Sequence, residues 1–581
     1  MSKTDIIVAI DIGSSSVRCS AYKFVEGERG DNEDPTLCQA MAGCRTSRSV
    51  RSVQPNTGKI EVGGHSQDDT TSLMDNLDEC MDELLQILRK KDTFQVVAIG
   101  FSCFVMNLVG VDDRGTIVGD AASISYACNA PEVAKQCKNL RIKLSEESIN
   151  QMYHATGAPI HSAYALPQLL DIYDTNNPQY QSVRASVHKW QTIPSICLSR
   201  WAGATVSPIS YSEASWTGLL NFRTCQYEPS VVDLLPESCR QSLPDLADFS
   251  DLTSYPSLGR GIQQQKSSTG NSNPYWGRWP ELRGPTVETR GCRLFLGLGD
   301  GACANIGSKC STASRIAVTI GTSAASRVCL PLPVTTGSSE SKDSINVPKG
   351  LFCYRINRDH VLLGGALTDG GSVVEWISNL LNLNATSGAF EECMAQVKTL
   401  LEEDYNCYAQ QSSTKQSLTV IPFLSGERST GYRVGATGAI LGLTRETTPS
   451  HLLKSSLEGV TLRLNAVLGL IRSTMTSSQE QPCVIASGKA LEVNSLWRQL
   501  IADCSGMNVI MDGDTEEGTS RGVALAVAVA LGEKSSFKDE PLHVLHESSP
   551  DPSAKDYWAH ATQSQETFLD TISPLFVSSK D

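Results

Sequence analysis

Two stretches of this chain share one plan, and that repeat limits the folds open to it. Ile6 to Phe24 reads as a strand, a small polar turn and a returning strand: IIVAIDI, GSSS, VRCSAYKF. Residues 315–330, RIAVTIGTSAASRVCL, repeat strand, glycine with hydroxyl residues, strand. Gly13, Ser14 and Ser15 align with Gly321, Thr322 and Ser323, and Asp11 aligns with Thr319, an offset of 319 − 11 = 308. In a chain of 581 residues that is about half the length, so the pattern predicts two related lobes, each opened by one loop. A small polar turn leaves amides and hydroxyls to meet an anion, and two of them suggest a clamp on a polyphosphate. Only the first carries a carboxylate: Asp11 can hold a metal–phosphate group and Thr319 cannot.

The second constraint is LFLGLGDGACANIG, Leu294 to Gly307, where an apolar strand runs into a Gly-Asp-Gly step centred on Asp300. Gly299 and Gly301 permit backbone where a side chain would clash. A carboxylate on such a corner faces a cleft, and Asp300 is the candidate catalytic base.

Composition narrows the class. Apolar residues make up 40% and charged residues 19%, a globular balance. A net charge of −14 disfavours a nucleic-acid or anionic-membrane binder, which would present a basic surface, and leaves a small-molecule substrate as the expected partner. The 19 cysteines form no CxxC pair and no zinc-spaced cluster, which suits reduced cytosolic thiols and a cytoplasmic protein. The apolar run before Asp11 is too short for a signal peptide or a membrane span. Oligomeric state is not readable.

Between the repeats, Leu73, Leu77, Met81, Leu84 and Leu88 mark one face of a helix. Phe94 to Val111 holds two strands around a loop, and 131–151 and 164–173 read as helices. Residues 250–290 are rich in Ser, Gly, Gln and Pro and read as an insertion pinned by Trp276 and Trp279. In the second half, 351–367 is strand-turn-strand, TDGGSVVEWISNLL is a glycine-rich helix start whose free amides suit an anion, and 449–471 is a long helix. CVIAS runs through Gly488 into a helix, and 521–531 is a small-residue helix that must pack closely. Trp376 and Trp497 read as core, His154 and His161 as structural, and Glu427 with Arg428 as a structural ion pair. From about Gly532 the chain reads as a frayed end.

The stretches AIDIGSSSVR, YHATGAPIHSAYALPQLL, GDGACANIGS, VTIGTSAASRV, LLGGALTDGGSVVEW, IPFLSGER, GAILGL and ASGKALEVNSLWRQLIAD, in this order across 6–531, resemble the FGGY family of carbohydrate kinases, and within it the gluconate kinases. The resemblance implies an α/β fold of two actin-like, ribonuclease-H-like domains with the active site in the interdomain cleft. The expected division is 1–311 for the sugar-binding and catalytic-base lobe and 312–581 for the nucleotide lobe. It implies ATP and Mg²⁺. Asp300 matches the base that takes the proton of the attacking sugar hydroxyl, and Asp11 the carboxylate near Mg²⁺. Gly13, Ser14, Ser15, Gly321, Thr322 and Ser323 match the phosphate loops. Gly371 and Glu375 match positions lining the ATP phosphates, and Gly488 and Asn494 the adenine pocket.

The sugar-facing positions depart from the family. Val105 and Met106, followed by Asn107, replace aromatic and His residues, so Met106 and Asn107 are the substrate-binding candidates beside Asp300. A Trp-x-Asp-x-Arg segment becomes Tyr126, Ala127, Cys128, Asn129 and Ala130, Gln168 stands for a Lys, and Lys489 for a glycine. The resulting expectation is phosphorylation of a sugar or sugar acid, D-gluconate giving 6-phosphogluconate. The alternatives are a kinase for a neutral ketose or polyol such as xylulose, and a non-catalytic sugar or nucleotide sensor. An anionic substrate predicts a basic group near Asp300; a neutral one predicts Asp, Asn or Gln.

Overall fold

The computed structural model describes residues 4–13, 16–24, 38–49, 67–91, 94–119, 122–126, 128, 130–252, 274–283, 292–334, 345–385, 387–410, 418–433, 435–475, 482–513, 518–537 and 540–576. Two mixed sheets organise them. In the first, the spatial order is Arg293–Gly299, Phe94–Cys103, Thr4–Ile12, Ser16–Phe24, Cys38–Ser49. The hairpin strands pair antiparallel, whereas Thr4–Ile12, Phe94–Cys103 and Arg293–Gly299 run parallel. The second sheet repeats this order with His360–Leu367, Ala324–Pro331, Arg315–Ile320, Cys483–Ser487 and Val509–Asp512, and adds Phe352–Arg355 and Val544–Ser548 at its edges. The sequence repeat is therefore a repeat of topology. Its two turns differ by one residue: Ile12 pairs with Val17, but Ile320 pairs with Ala324.

Parallel strands covered on both faces explain the unbroken apolar run at 6–10, all of it fully buried. Helix Gln67–Lys91 covers the first sheet with the Leu73–Leu88 stripe. The other face takes helix Gly518–Leu531, whose Val523 and Val527 fill the space that Gly100 leaves open. Helix Pro449–Thr474 covers the second sheet. The three parallel strands of the first sheet end at one edge, and that edge carries both Asp11 and Asp300.

Several local readings change. The 131–151 helix is two helices, Pro131–Lys143 and Glu146–Thr156, parted at Leu144 because Ser145 caps the second. The end of the chain is built rather than frayed. Val544–Ser548 pairs with Val509–Asp512, and helix Lys555–Ile572 buries Tyr557 and Trp558 in the second core and Leu569 in a smaller cluster with Ile421 and Phe423. Buried Trp279 donates its indole N–H to Asp82 at 2.7 Å, while 253–273, 284–291 and the Trp276 side chain lie outside the described residues. No described helix is long and apolar enough to cross a membrane.

Helix Asp300–Gly307 meets helix Gly518–Leu531 backbone to backbone. A Cβ on Gly522 would stand 1.9 Å from the Cys303 carbonyl oxygen, and one on Gly307 would stand 1.6 Å from that of Gly518. Gly522→Ala is expected to destabilise the protein by about 3 kcal/mol or more. Gly469→Ala, in helix Pro449–Thr474 with nothing near its Cβ position, should stabilise by up to about 1 kcal/mol. Melting temperatures of opposite sign check the pair.

Helix Tyr211–Trp216 is closed by a capping box in which Ser210 Oγ accepts the Glu213 N–H at 3.0 Å and Glu213 accepts the Ser210 N–H at 3.2 Å. Burial pushes the Glu213 carboxyl from 4.5 up to about 7, against the pull of those hydrogen bonds. The folded state therefore holds a proton that the unfolded chain has released. Stability from this group is complete below pH 4.5 and is lost as pH rises through about 7. Wild type should lose up to about 3 kcal/mol relative to Glu213→Gln between pH 4.5 and 8, measured as the difference in denaturant midpoints.

Candidate active site

Strand Arg293–Gly299 delivers Asp300 to the sheet edge as the first residue of helix Asp300–Gly307. A carboxylate is favourable at a helix N-terminus, and its Oδ1 accepts the Gly301 N–H at 2.7 Å. Gly299 has an ordinary φ of −62°, so no special turn requires glycine there. The requirement is space for Trp216. A Cβ on Gly299 would stand 2.5 Å from the indole Nε1, and one on Gly301 would stand 3.3 Å from the ring. Trp216 in turn lies against Tyr354 and Phe352 of the second sheet, at centroid distances of 4.0 Å and 5.6 Å. Burial raises the Asp300 pKa, and the Arg327 guanidinium opposes that rise.

Asp11 is buried at the end of its strand, opposite Arg18, whose guanidinium is 3.8 Å away. The Gly13 N–H donates to the Ser16 carbonyl at 2.9 Å, while Ser14 and Ser15 lie outside the described residues. In the second hairpin the Gly321 N–H donates to the Ser323 carbonyl at 2.9 Å, and Thr322 and Ser323 are exposed. At Thr319, the counterpart of Asp11, the hydroxyl pairs with Ser487 at 2.9 Å. The amides at the start of helix Gly371–Leu380, expected to be free, are occupied. Gly370 donates to Thr322, and Gly371 to Gly321, both at 2.8 Å. The reason is packing: a Cβ on Gly371 would stand 2.6 Å from the Gly321 carbonyl oxygen. The loop and the helix start thus brace each other, and the exposed hydroxyls of Thr322 and Ser323 are what the loop presents.

No group of three or more His, Cys, Asp or Glu that could cage a metal occurs among the described residues. A single carboxylate at a sheet edge suits Mg²⁺, which keeps several waters and takes one or two carboxylates plus substrate phosphates. Asp11 fits that donor set.

A pocket of ≈ 670 Å³ opens between helices Gly371–Leu380, Ala389–Ala409 and Ser495–Ser505. Gly371, Glu375 and Asn494 all line it. Asn494 Oδ1 accepts the Trp497 N–H at 3.0 Å and caps the last of these helices, so part of its side chain serves the fold. Gly488 is absent from the wall. Its φ of +94° and the Ile320 carbonyl, 2.4 Å from its Cβ position, require glycine at the strand–helix turn. Trp497 is core and donates to Thr461 at 3.0 Å, whereas Trp376 is 40% exposed because Val373 and Ile377 take the buried side of its helix.

A smaller cavity of ≈ 110 Å³ lies beside the Asp300 corner, walled by Trp216, Tyr354, Tyr164, Met106, His161 and Arg428 among others. Met106 reaches it from a left-handed backbone with φ 58°. Asn107 turns into the fold: its Nδ2 donates to the Phe104 carbonyl and its Oδ1 accepts the Ile193 N–H at 3.0 Å. The amide of Gln168 is spent on Ser125 and Ser162. Tyr126 lines the cavity; Ala127 and Asn129 lie outside the described residues. Burial, then Arg428, lower the His161 pKa to about 4, so the ring is neutral and accepts the Ala163 N–H at 3.1 Å.

Glu427 does not pair with Arg428. Its carboxylate takes the Arg433 guanidinium at 2.7 Å and 2.9 Å and the Gly431 N–H at 3.1 Å. The Arg428 guanidinium has no hydrogen bond among the described residues and lines the cavity instead. Arg327 and Trp216, which border Asp300, were not singled out by the sequence. Arg327 follows the second loop by four residues, and that spacing was the available signal.

Residues 46–255 match the N-terminal domain of the FGGY family of carbohydrate kinases, and residues 316–531 match its C-terminal domain. The chain is similar to a gluconokinase of Bacillus licheniformis, 23% identical over 505 residues, 84% of this chain and 86% of that protein. Its fold is similar to that of gluconate kinase from Lactobacillus acidophilus, with TM-score 0.71, 19% identity and 99% of both chains covered. A xylulose kinase from the same organism also has TM-score 0.71, with 19% identity, covering 98% of this chain and 99% of its own. The two domain matches and the two-domain α/β architecture agree, and the chain belongs to the FGGY family of carbohydrate kinases.

Proposed function

We propose that the protein transfers the γ-phosphoryl group of ATP to a hydroxyl of a sugar acid, converting D-gluconate to 6-phosphogluconate. The observation that carries an acid over a neutral sugar is the small cavity beside Asp300. Arg428, which has no ion pair among the described residues, lines it, and among the described residues no carboxylate or side-chain amide does. A neutral ketose or polyol would want Asp, Asn or Gln there to pair its hydroxyls. The gluconokinase relative supports the same substrate class.

In this reading residues 1–311 form the sugar lobe and 312–581 the nucleotide lobe, with helix Gly518–Leu531 reaching back under the first sheet. The ≈ 670 Å³ pocket, of a size for a nucleotide, takes ATP against Gly371, Glu375 and Asn494. Gly488 shapes the turn beneath it. The loops at Gly13–Ser15 and 321–323 hold the phosphates. Mg²⁺ beside Asp11 would neutralise phosphate charge. Asp300 orients the substrate hydroxyl and accepts its proton, and its raised pKa makes it a better base. Met106 shapes the sugar cavity, and Asn107 acts by fixing the loop that carries it.

Asp300→Asn is expected to leave ATP affinity by calorimetry within about threefold and to lower kcat by roughly 10²–10⁴. Turnover within tenfold of wild type would remove Asp300 from the base role. A coupled ADP-release screen over sugar acids, ketoses and polyols should give gluconate the highest kcat/KM. A ketose or polyol turned over faster would replace the acid reading.

A further inference from the structure

Arg327 has no part in the reading above, yet its state is unusual. It stands on Ala324–Pro331, the strand that leaves the 321–323 loop. Its Nε is buried without a hydrogen-bond partner, and none of the ion pairs among the described residues includes it. The buried Arg355 shows how this fold treats a guanidinium it keeps for structure: that group donates to the carbonyls of Phe222, Leu332 and Arg358. A buried polar group left unsatisfied costs stability unless a partner arrives.

The space around Arg327 is kept by glycines from both halves of the chain. A Cβ on Gly301 would stand 3.5 Å from its Nε, and one on Gly364 would stand 3.0 Å from its Cγ. Gly301 also donates to Asp300, so the cation and the carboxylate border one residue without forming an ion pair. Asp300 belongs to the first sheet's edge, Arg327 to the second sheet. The missing counter-charge therefore belongs between a base on one side and a phosphate loop on the other.

Resting on the kinase reading, we propose that Arg327 is a catalytic residue whose guanidinium binds the oxygens of the phosphoryl group in transit. The substrate oxygen forms its bond to the γ-phosphorus while the bond from that phosphorus to the β,γ-bridging oxygen breaks. The bridging electron pair leaves with ADP, and the hydroxyl proton goes to Asp300. Charge spread over the three equatorial oxygens meets Arg327, and in-line displacement has little else for a protein to supply. Burial lowers the pKa of Arg327 and Asp300 opposes that fall, and a guanidinium is not deprotonated in proteins.

The test uses Arg327→Met and Arg327→Lys in the full chain. Arg327→Met should bind Mg·ADP as wild type does by calorimetry. It should lose, by roughly 10³-fold, the tightening that aluminium fluoride and acceptor give to Mg·ADP in wild type. Its kcat should fall by a similar factor for every acceptor, with Arg327→Lys recovering part. Its melting temperature should hold or rise, since an unsatisfied charge has gone. The proposal is overturned if the aluminium fluoride complex keeps its affinity, if the loss is confined to KM for acids, or if both variants melt lower and lose Mg·ADP binding as well. A wild-type protein that releases no ADP with any acceptor would instead overturn the kinase reading itself.

Discussion

The contact on which the rest of the structure depends is made by backbone. Helix Asp300–Gly307 and helix Gly518–Leu531 come so close that Gly307 and Gly522 face backbone of the opposite helix where side chains would collide. The close approach seats the second helix among Val523 to Ala528 under the first sheet, although it comes from the far end of the sequence. Arg521 then donates to the Gly307 carbonyl at the end of helix Asp300–Gly307. Lys309, just beyond it, reaches Asp512 at 2.8 Å in the second sheet. Asp300 is thus held from behind by both halves of the chain, and its placement at the sheet edge follows from packing that leaves no slack.

That constraint separates what was legible from what was not. The two hairpins could be read because strand, glycine and hydroxyls are local patterns, and each half supplied a copy. The place of Asp300 at the end of a strand could be read because an apolar run leads straight into the Gly-Asp-Gly step. The reason was only half visible: the glycines make room for Trp216, which is 83 residues upstream of Gly299, and no local pattern announces it. Gly371, Glu375 and Asn494 line one pocket, whereas Gly488, read with Asn494, does not.

The readings that changed did so where tertiary partners outweighed local character. Glycine-rich helix starts do present amides to anions, but here the 321–323 loop accepts them first. Adjacent Glu427 and Arg428 suggested an ion pair, yet Arg433 sits six residues on and closes a bidentate contact, which releases Arg428 to the cavity. Trp376 looked like core by type, but its helix puts Val373 and Ile377 inward. The end of the chain lacked motifs and was read as loose. Its Tyr557 and Trp558 are instead buried against the second core, where Lys454 donates to the Tyr557 hydroxyl at 2.6 Å.

The duplication also shows how one scaffold divides labour. In each sheet a carboxylate lies at the end of the outermost parallel strand, Asp300 in the first and Asp512 in the second. Asp512 is neutralised: Lys309 lies on it, Arg521 is 4.0 Å away, and the His543 N–H donates to it at 2.7 Å. Asp300 keeps one backbone hydrogen bond and a guanidinium held short of pairing. The same contrast separates Asp11, beside a half-exposed Arg18, from Thr319, tied to Ser487. In both comparisons the second half ties the equivalent position into its own structure, Asp512 through Lys309 and Thr319 through Ser487. The proposed kinase reading accounts for that asymmetry, because two uncompensated carboxylate edges facing one polyphosphate would repel it.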